Sequence, residues 1–290
     1  MLDEPRSGRL AAWGNALLAA LISPDEAAQR IIGDDVVHRV VGLPASTDPH
    51  AESEPEPVGL TLALGRLRSM GAPGLRVALP VPGHPLGLSG PPEFNSRALD
   101  AGEAVLAPDA GIGLVPELYE AGPEGDVHSE VTWHCLPVRD APPADVPSLS
   151  EAERELAEAM REATEVLTEL DVAGSGPVAA AALESYRARM EAGRQLLAPG
   201  YPPRAVRVLE LAQRVRALVA IAYGEETGAG QDADGEMSGD GREHGGAVSA
   251  SQIAARAEAL RPVERTARRA QVAAYNAYAE ELERKRSWEA

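Results

Sequence analysis

The stretch Glu103-Ala-Val-Leu-Ala-Pro-Asp-Ala-Gly-Ile-Gly-Leu-Val-Pro-Glu-Leu118 decides the fold class. Two short apolar runs flank Pro108-Asp109-Ala110-Gly111, a dense turn signal, which predicts strands over Glu103–Ala107 and Gly113–Leu118. A further run, His128–Val138, follows the punctuation Gly122-Pro123-Glu124-Gly125. Three strands joined by short turns predict an antiparallel meander.

Upstream, Val36–Leu43 is rich in β-branched residues and Leu75–Val81 is mostly apolar, so both read as strands. Between them Leu60, Leu64, Leu67 and Met70 share one helical face that Gly71 closes. Strand, helix, strand predicts a crossover unit with the two strands parallel. Residues 44–57 carry four prolines and four acids without periodicity and read as a flexible insertion. Further upstream, Leu10, Trp13, Leu17, Leu18 and Leu21 predict a helix over Leu10–Ile22, and Ser23-Pro24-Asp25-Glu26 caps a second that stops at Gly33. Glu93–Ala101 is a short helix ending at Gly102.

A Pro/Ala/Asp-rich segment at 140–147 marks a boundary. Ser150 with Glu153 forms a capping box opening a helix to about Leu170. Ser175-Gly176-Pro177 opens a second to about Leu197, Pro202-Pro203 a third to about Tyr223, and Ser249 or Ser251 a fourth with a kink at Pro262. The expected class is therefore α+β, with a mixed α/β domain over 1–145 holding a small mixed sheet. An all-α four-helix bundle over 146–290 follows, its last connection the disordered acidic loop 225–247.

Composition fits this plan. The chain of 290 residues is 44% apolar but only 3% aromatic, with Phe94 its single phenylalanine, so Ala, Leu and Val must build the core. A formal charge of -18 argues against general nucleic-acid binding. Residues 225–247 hold seven acids against Arg242. The lone Cys135 allows no intrachain disulfide, and no apolar run approaches the roughly 18 residues of a membrane span. Leu10–Ile22 makes a poor signal segment, because Gly14 and Asn15 interrupt it and Asp3 and Glu4 precede it. A cytoplasmic setting without membrane contact is the expectation.

The motifs mostly exclude. Lys285 is the single lysine and lies near the chain end, far from any role in a P-loop, a kinase core or a pyridoxal site. No nucleophile elbow, His-Glu-x-x-His or Glu-x-x-His pair occurs. On a strand His128 and His134 lie roughly 20 Å apart, too far to share an ion, and Cys135 points to the other face. Asp232, Asp234, Glu236, Ser238, Asp240 and Glu243 match calcium-loop positions, but Met237 stands where a sharp turn needs glycine. Glu151, Glu155, Glu158, Glu162 and Glu165 form an exposed acidic stripe.

One segment gathers candidate site residues. Pro82-Gly-His-Pro-Leu-Gly-Leu-Ser-Gly-Pro-Pro-Glu-Phe-Asn-Ser-Arg97 follows a strand's carboxyl end and precedes a helix, where open α/β sheets bind ligands. It offers His84, Ser89, Glu93, Asn95 and Arg97, with four prolines to hold it rigid. The bland reading is a crossing loop anchored by Phe94. The favoured function is a non-catalytic intracellular interaction or regulatory protein, binding a partner or itself through the bundle, without cofactor or metal. The alternative is an enzyme or small-ligand binder with its site in 82–97.

Overall fold

The computed structural model describes residues 4–44, 56–123, 127–169, 197–223 and 250–289. The N-terminal half holds α1 (Arg6–Leu18), α2 (Pro24–Ile32), β1 (Val37–Val41), β2 (Val58–Gly59), α3 (Leu60–Ser69), β3 (Arg76–Ala78), α4 (Pro92–Ala101), β4 (Ala104–Ala107), β5 (Ile112–Ala121) and β6 (His128–Pro137). A helical region follows: α5 (Leu149–Glu169), α6 (Pro203–Tyr223) and the 40-residue α7 (Ala250–Glu289). The fold is thus α+β, a six-stranded mixed sheet with helices and then a helical region. Most of the helix expected to end near Leu197, the insertion 45–55 and the acidic calcium-like loop lie outside the described residues. Among the described residues no helix is long and apolar enough to cross a membrane.

The sheet order is β2-β1-β6-β5-β4-β3. The meander of β4, β5 and β6 forms as expected, antiparallel throughout. The crossover pairing does not. β1 runs parallel to β6, Val40 opposite Trp133, while β3 sits at the far edge, antiparallel to β4. Strand β6 has ten residues and offers a longer ladder than the three of β3, so α3 carries the chain across the sheet rather than back beside β1.

The outer edge of β3 is closed by side chains. Asn15 of α1 accepts from the Leu75 N–H at 2.6 Å and donates to the Leu75 carbonyl at 3.1 Å. Two residues on, Asn276 of α7 does the same for Val77, at 2.6 and 3.0 Å. Arg268 donates to the Leu79 carbonyl at 3.3 Å, and the Leu79 N–H reaches the Leu86 carbonyl. Every outward-facing backbone group at alternate positions is therefore satisfied, as burial demands. Buried Tyr201 joins the two helices, accepting from Asn15 and donating to the Tyr275 carbonyl.

One hydrophobic cluster runs from α1, α3 and the sheet into α5, α6 and α7, with Leu75, Val77, Tyr275 and the small residues Ala270, Ala273 and Ala274 at its centre. Gly8 lets α7 approach α1, because a Cβ there would stand 2.5 Å from the Tyr275 ring. The opposite sheet face is covered only in part. Phe94 of α4 packs with Ala98, Leu106, Val115 and Val138. This bears out Phe94 as the anchor of its loop.

Two termini correct the sequence reading. The capping box of α5 is Ser148 with Glu151, the hydroxyl accepting from the Glu151 N–H at 3.3 Å and the carboxylate from the Ser148 N–H at 3.0 Å. Both Ser148 and Ser150 have Glu three residues on. The earlier start leaves Glu153 free for Arg204 at 2.6 Å. Helix α1 ends at Leu18, not Ile22, in a Schellman turn: Ala20 donates to the Leu17 carbonyl and Leu21 to that of Ala16. Helix α3 ends in the same motif with Gly71 at φ 89°, but α1 places Ala20 at φ 58°. An alanine there bears Cβ strain that glycine lacks. Ala20→Gly is expected to raise stability by about 0.5–1 kcal/mol, read as a higher urea midpoint at unchanged slope.

Candidate functional site

The segment 82–97 begins with a tight turn in which Val81 and His84 exchange backbone hydrogen bonds. Its next residues pair with the chain before α5: Gly87 donates to the Ala144 carbonyl, and Ala144 donates to that of Leu88. Glu93 and Arg97, one helical turn apart on α4, form an exposed ion pair at 3.6 Å. Ser89 is half-buried. The Nδ1 of His84 and the Oδ1 of Asn95 are each shielded from solvent without a hydrogen-bond partner among the described residues. The strand that feeds this segment lies at a sheet edge, antiparallel to its neighbour. The one parallel pair of the described strands, β1 with β6, is elsewhere, so the carboxyl-edge argument does not apply to 82–97.

His38 belongs to a buried polar hub. Asp35 accepts from Arg6 Nε and Nη2 at 3.0 and 2.7 Å, and from Arg9 Nη2 at 2.7 Å. His38 Nδ1 accepts from Trp133 Nε1 at 3.3 Å, so Nε2 carries the proton and donates to Asp35 at 3.0 Å. Burial raises the Asp35 pKa, but the bonds from His38 and Arg6 and the charges of Arg6 and Arg9 outweigh it and hold the carboxyl well below the usual range. The spacing Asp35-x-x-His38 was visible; Arg6 and Trp133 arrive only through the fold. The hub ties α1 to β1 and β6.

Cys135 packs against the main core, and burial pushes its thiol up to about 11, which makes it a poor nucleophile. His134 lies on the other face and meets Glu117 at 2.7 Å. His128 stands opposite Ala121, at the far end of the ladder.

A stretch of open strand backbone lies on β5. Its ten residues pair with β6 from Ile112 opposite Pro137 to Ala121 opposite His128. On the other side, β4 covers only Ile112, Gly113 and Leu114. Beyond them 115–121 present a strand edge that no other described backbone group bonds. Apolar side chains stand on it: Leu118 is 41% exposed and Tyr119 67%. Glu117 and Glu120 make the same stretch acidic. Pro116 contributes no N–H, so the donors of this edge begin after it.

Comparison with known proteins divides the chain near the start of α5. Residues 7–148 match the family described as Rv1486c-like protein, N-terminal domain, and residues 150–241 match Rv1486c-like protein, C-terminal domain. The chain is 31% identical over 239 residues to the uncharacterized protein Rv1486c of Mycobacterium tuberculosis, covering 74% of this chain and 82% of that protein. It is 29% identical over 297 residues to the uncharacterized protein MAV321 of Mycobacterium avium, covering 92% and 95%. The uncharacterized protein ML1804 of Mycobacterium leprae is 28% identical over 301 residues. No solved structure matches.

The hub yields a signed pH expectation. A depressed carboxyl contributes stability that is present above its unfolded pKa of about 3.9 and is lost as pH falls toward the lower folded value. Asp35→Asn leaves Arg6 and Arg9 without their carboxylate, and is expected to cost about 3 kcal/mol at pH 7. Urea unfolding at pH 7 and pH 3 checks it, the difference from wild type shrinking at the lower pH.

Proposed function

The chain belongs to the Rv1486c-like family, and from that premise we propose that it is a non-catalytic interaction protein that receives an extended, basic segment of another protein along the free edge of β5. The observation that carries this reading is the unpaired edge at 115–121 beside exposed Leu118 and Tyr119. A strand added there gains main-chain hydrogen bonds, and its alternate side chains meet the apolar residues. Charge selects the occupant. In the antiparallel registers of two copies centred on residue 117 or on residue 120, Glu117 would face Glu117 or Glu120 would face Glu120, and like charges directly opposite destabilise. Lysine or arginine in the incoming strand removes that penalty, and the formal charge of -18 steers a basic partner toward the chain.

The same reading keeps the two-domain plan of 1–145 and 146–290, the latter with a fourth helix ending near Leu197, in a cytoplasmic setting. The helical region offers a partner another surface at Trp288, 84% exposed near the end of α7. A second reading, a small-ligand site among His84, Ser89, Glu93, Asn95 and Arg97, is supported by the two shielded, unpartnered atoms of His84 and Asn95.

The test is amide hydrogen exchange on the protein with and without its co-purified partner, for wild type and Glu117→Lys/Glu120→Lys. Protection of 117–121 in the complex, with affinity lost at least about tenfold on charge reversal, is the expected result. A partner retained by the variant, or held without protecting that edge, contradicts the reading.

A further inference from the structure

Where α6 meets α7, beside the carboxyl end of β3, two arginines come close enough for the charge of Arg268 to act on Arg216. Arg216 uses Nη1 to donate to Gln271 at 2.6 Å, and Arg268 uses Nη2 to donate to the Leu79 carbonyl. The Nε of each is shielded from solvent and has no hydrogen-bond partner among the described residues. Neither guanidinium forms an ion pair among the described residues. Glu264, one helical turn before Arg268, is the carboxylate whose charge both feel, and it closes no ion pair with either.

This is a costly arrangement. A shielded donor left unpaired loses its hydration without replacement, and two neighbouring cations repel. Burial first, and then the charge of Arg268, lower the Arg216 pKa to about 10, while burial also lowers that of Arg268. Among the described residues, one carboxylate against two guanidiniums leaves one positive charge unmatched. The partners on hand, Gln271 and the Leu79 carbonyl, are neutral. An oxyanion resolves every term at once, because its oxygens accept from both Nε–H groups and its charge separates the cations. Arg216 engages Gln271 through Nη1, and its Nε and Nη2 form the planar fork that grips two oxygens of one group.

We infer that the Arg216–Arg268 pair is a binding site for the phosphate group of a small anion, lodged between α6, α7 and the end of β3. The site is independent of the β5 edge. Because Arg268 also holds Leu79, which leads into the turn at 81–84, an anion there braces the start of the 82–97 segment.

Phosphate titration of the full chain tests this, followed by calorimetry and by thermal unfolding against chloride of equal ionic strength. Wild type is expected to show saturable binding of inorganic phosphate and a melting temperature that rises with its concentration by mass action. Arg268→Gln and Arg216→Lys are each expected to weaken binding at least about tenfold, since glutamine removes the charge and lysine the fork. Arg216→Lys keeps the charge, so it decides the matter should Arg268→Gln fail to fold. The inference is overturned if phosphate acts no differently from chloride, if Arg216→Lys binds as wild type does, or if acetate competes on equal terms.

Discussion

The structure depends on how the β3 edge of its sheet is closed. Strand β3 has a neighbour on one side only, and water is excluded from the other by α1 and α7. Two asparagine amides replace the missing strand, Asn15 at Leu75 and Asn276 at Val77, each giving and taking one hydrogen bond as a neighbouring peptide would. The two-residue interval matches the strand period, and the amides come from helices at opposite ends of the chain. A sheet that ends this way cannot pair with another chain at β3, and the final helix becomes part of the N-terminal core. The two regions matching separate family descriptions share one hydrophobic cluster with this helix, which lies outside both.

How much of this was legible follows from the range of each interaction. Strands β4, β5 and β6 are joined by short turns, so local punctuation disclosed both their existence and their antiparallel pairing. The partner of β1 was not legible, because β6 lies about ninety residues on and nothing near Val36–Leu43 distinguishes it from the closer Leu75–Val81. Asn15 was visible as an odd residue in an apolar helix, but its meaning needs the edge of β3, sixty residues away. Asn276 gave no signal inside a helix of ordinary composition. The overrun of α1 has a simpler cause: its Schellman turn uses Ala20, and the rule that finds such turns looks for glycine. At α5, two Ser-x-x-Glu matches overlapped, and Arg204 from the next helix decided between them.

The candidate sites divide in the same way. His84, Ser89, Glu93, Asn95 and Arg97 were gathered by proximity in sequence, and in the fold Glu93 and Arg97 turn to each other on the exposed face of α4. Arg216 and Arg268 come from different helices, and their shared unmet hydrogen bonds have no signature in either segment. The open edge of β5 arises from a difference in length, ten residues against four in β4, which turn signals locate only to within a few positions. Charge was legible throughout: the acidity counted in the sequence also shapes the edge at Glu117 and Glu120.

The central claim, that helix side chains close the sheet at β3, is most directly tested by native-state hydrogen exchange at the Leu75 and Val77 amides. If Asn15 and Asn276 hold them, both amides exchange only through global unfolding, at the free energy of the β4–β5 ladder, and Asn276→Leu releases Val77 to faster local exchange. Rapid exchange of these two amides in the wild-type protein, with the β4–β5 ladder still protected, would contradict it.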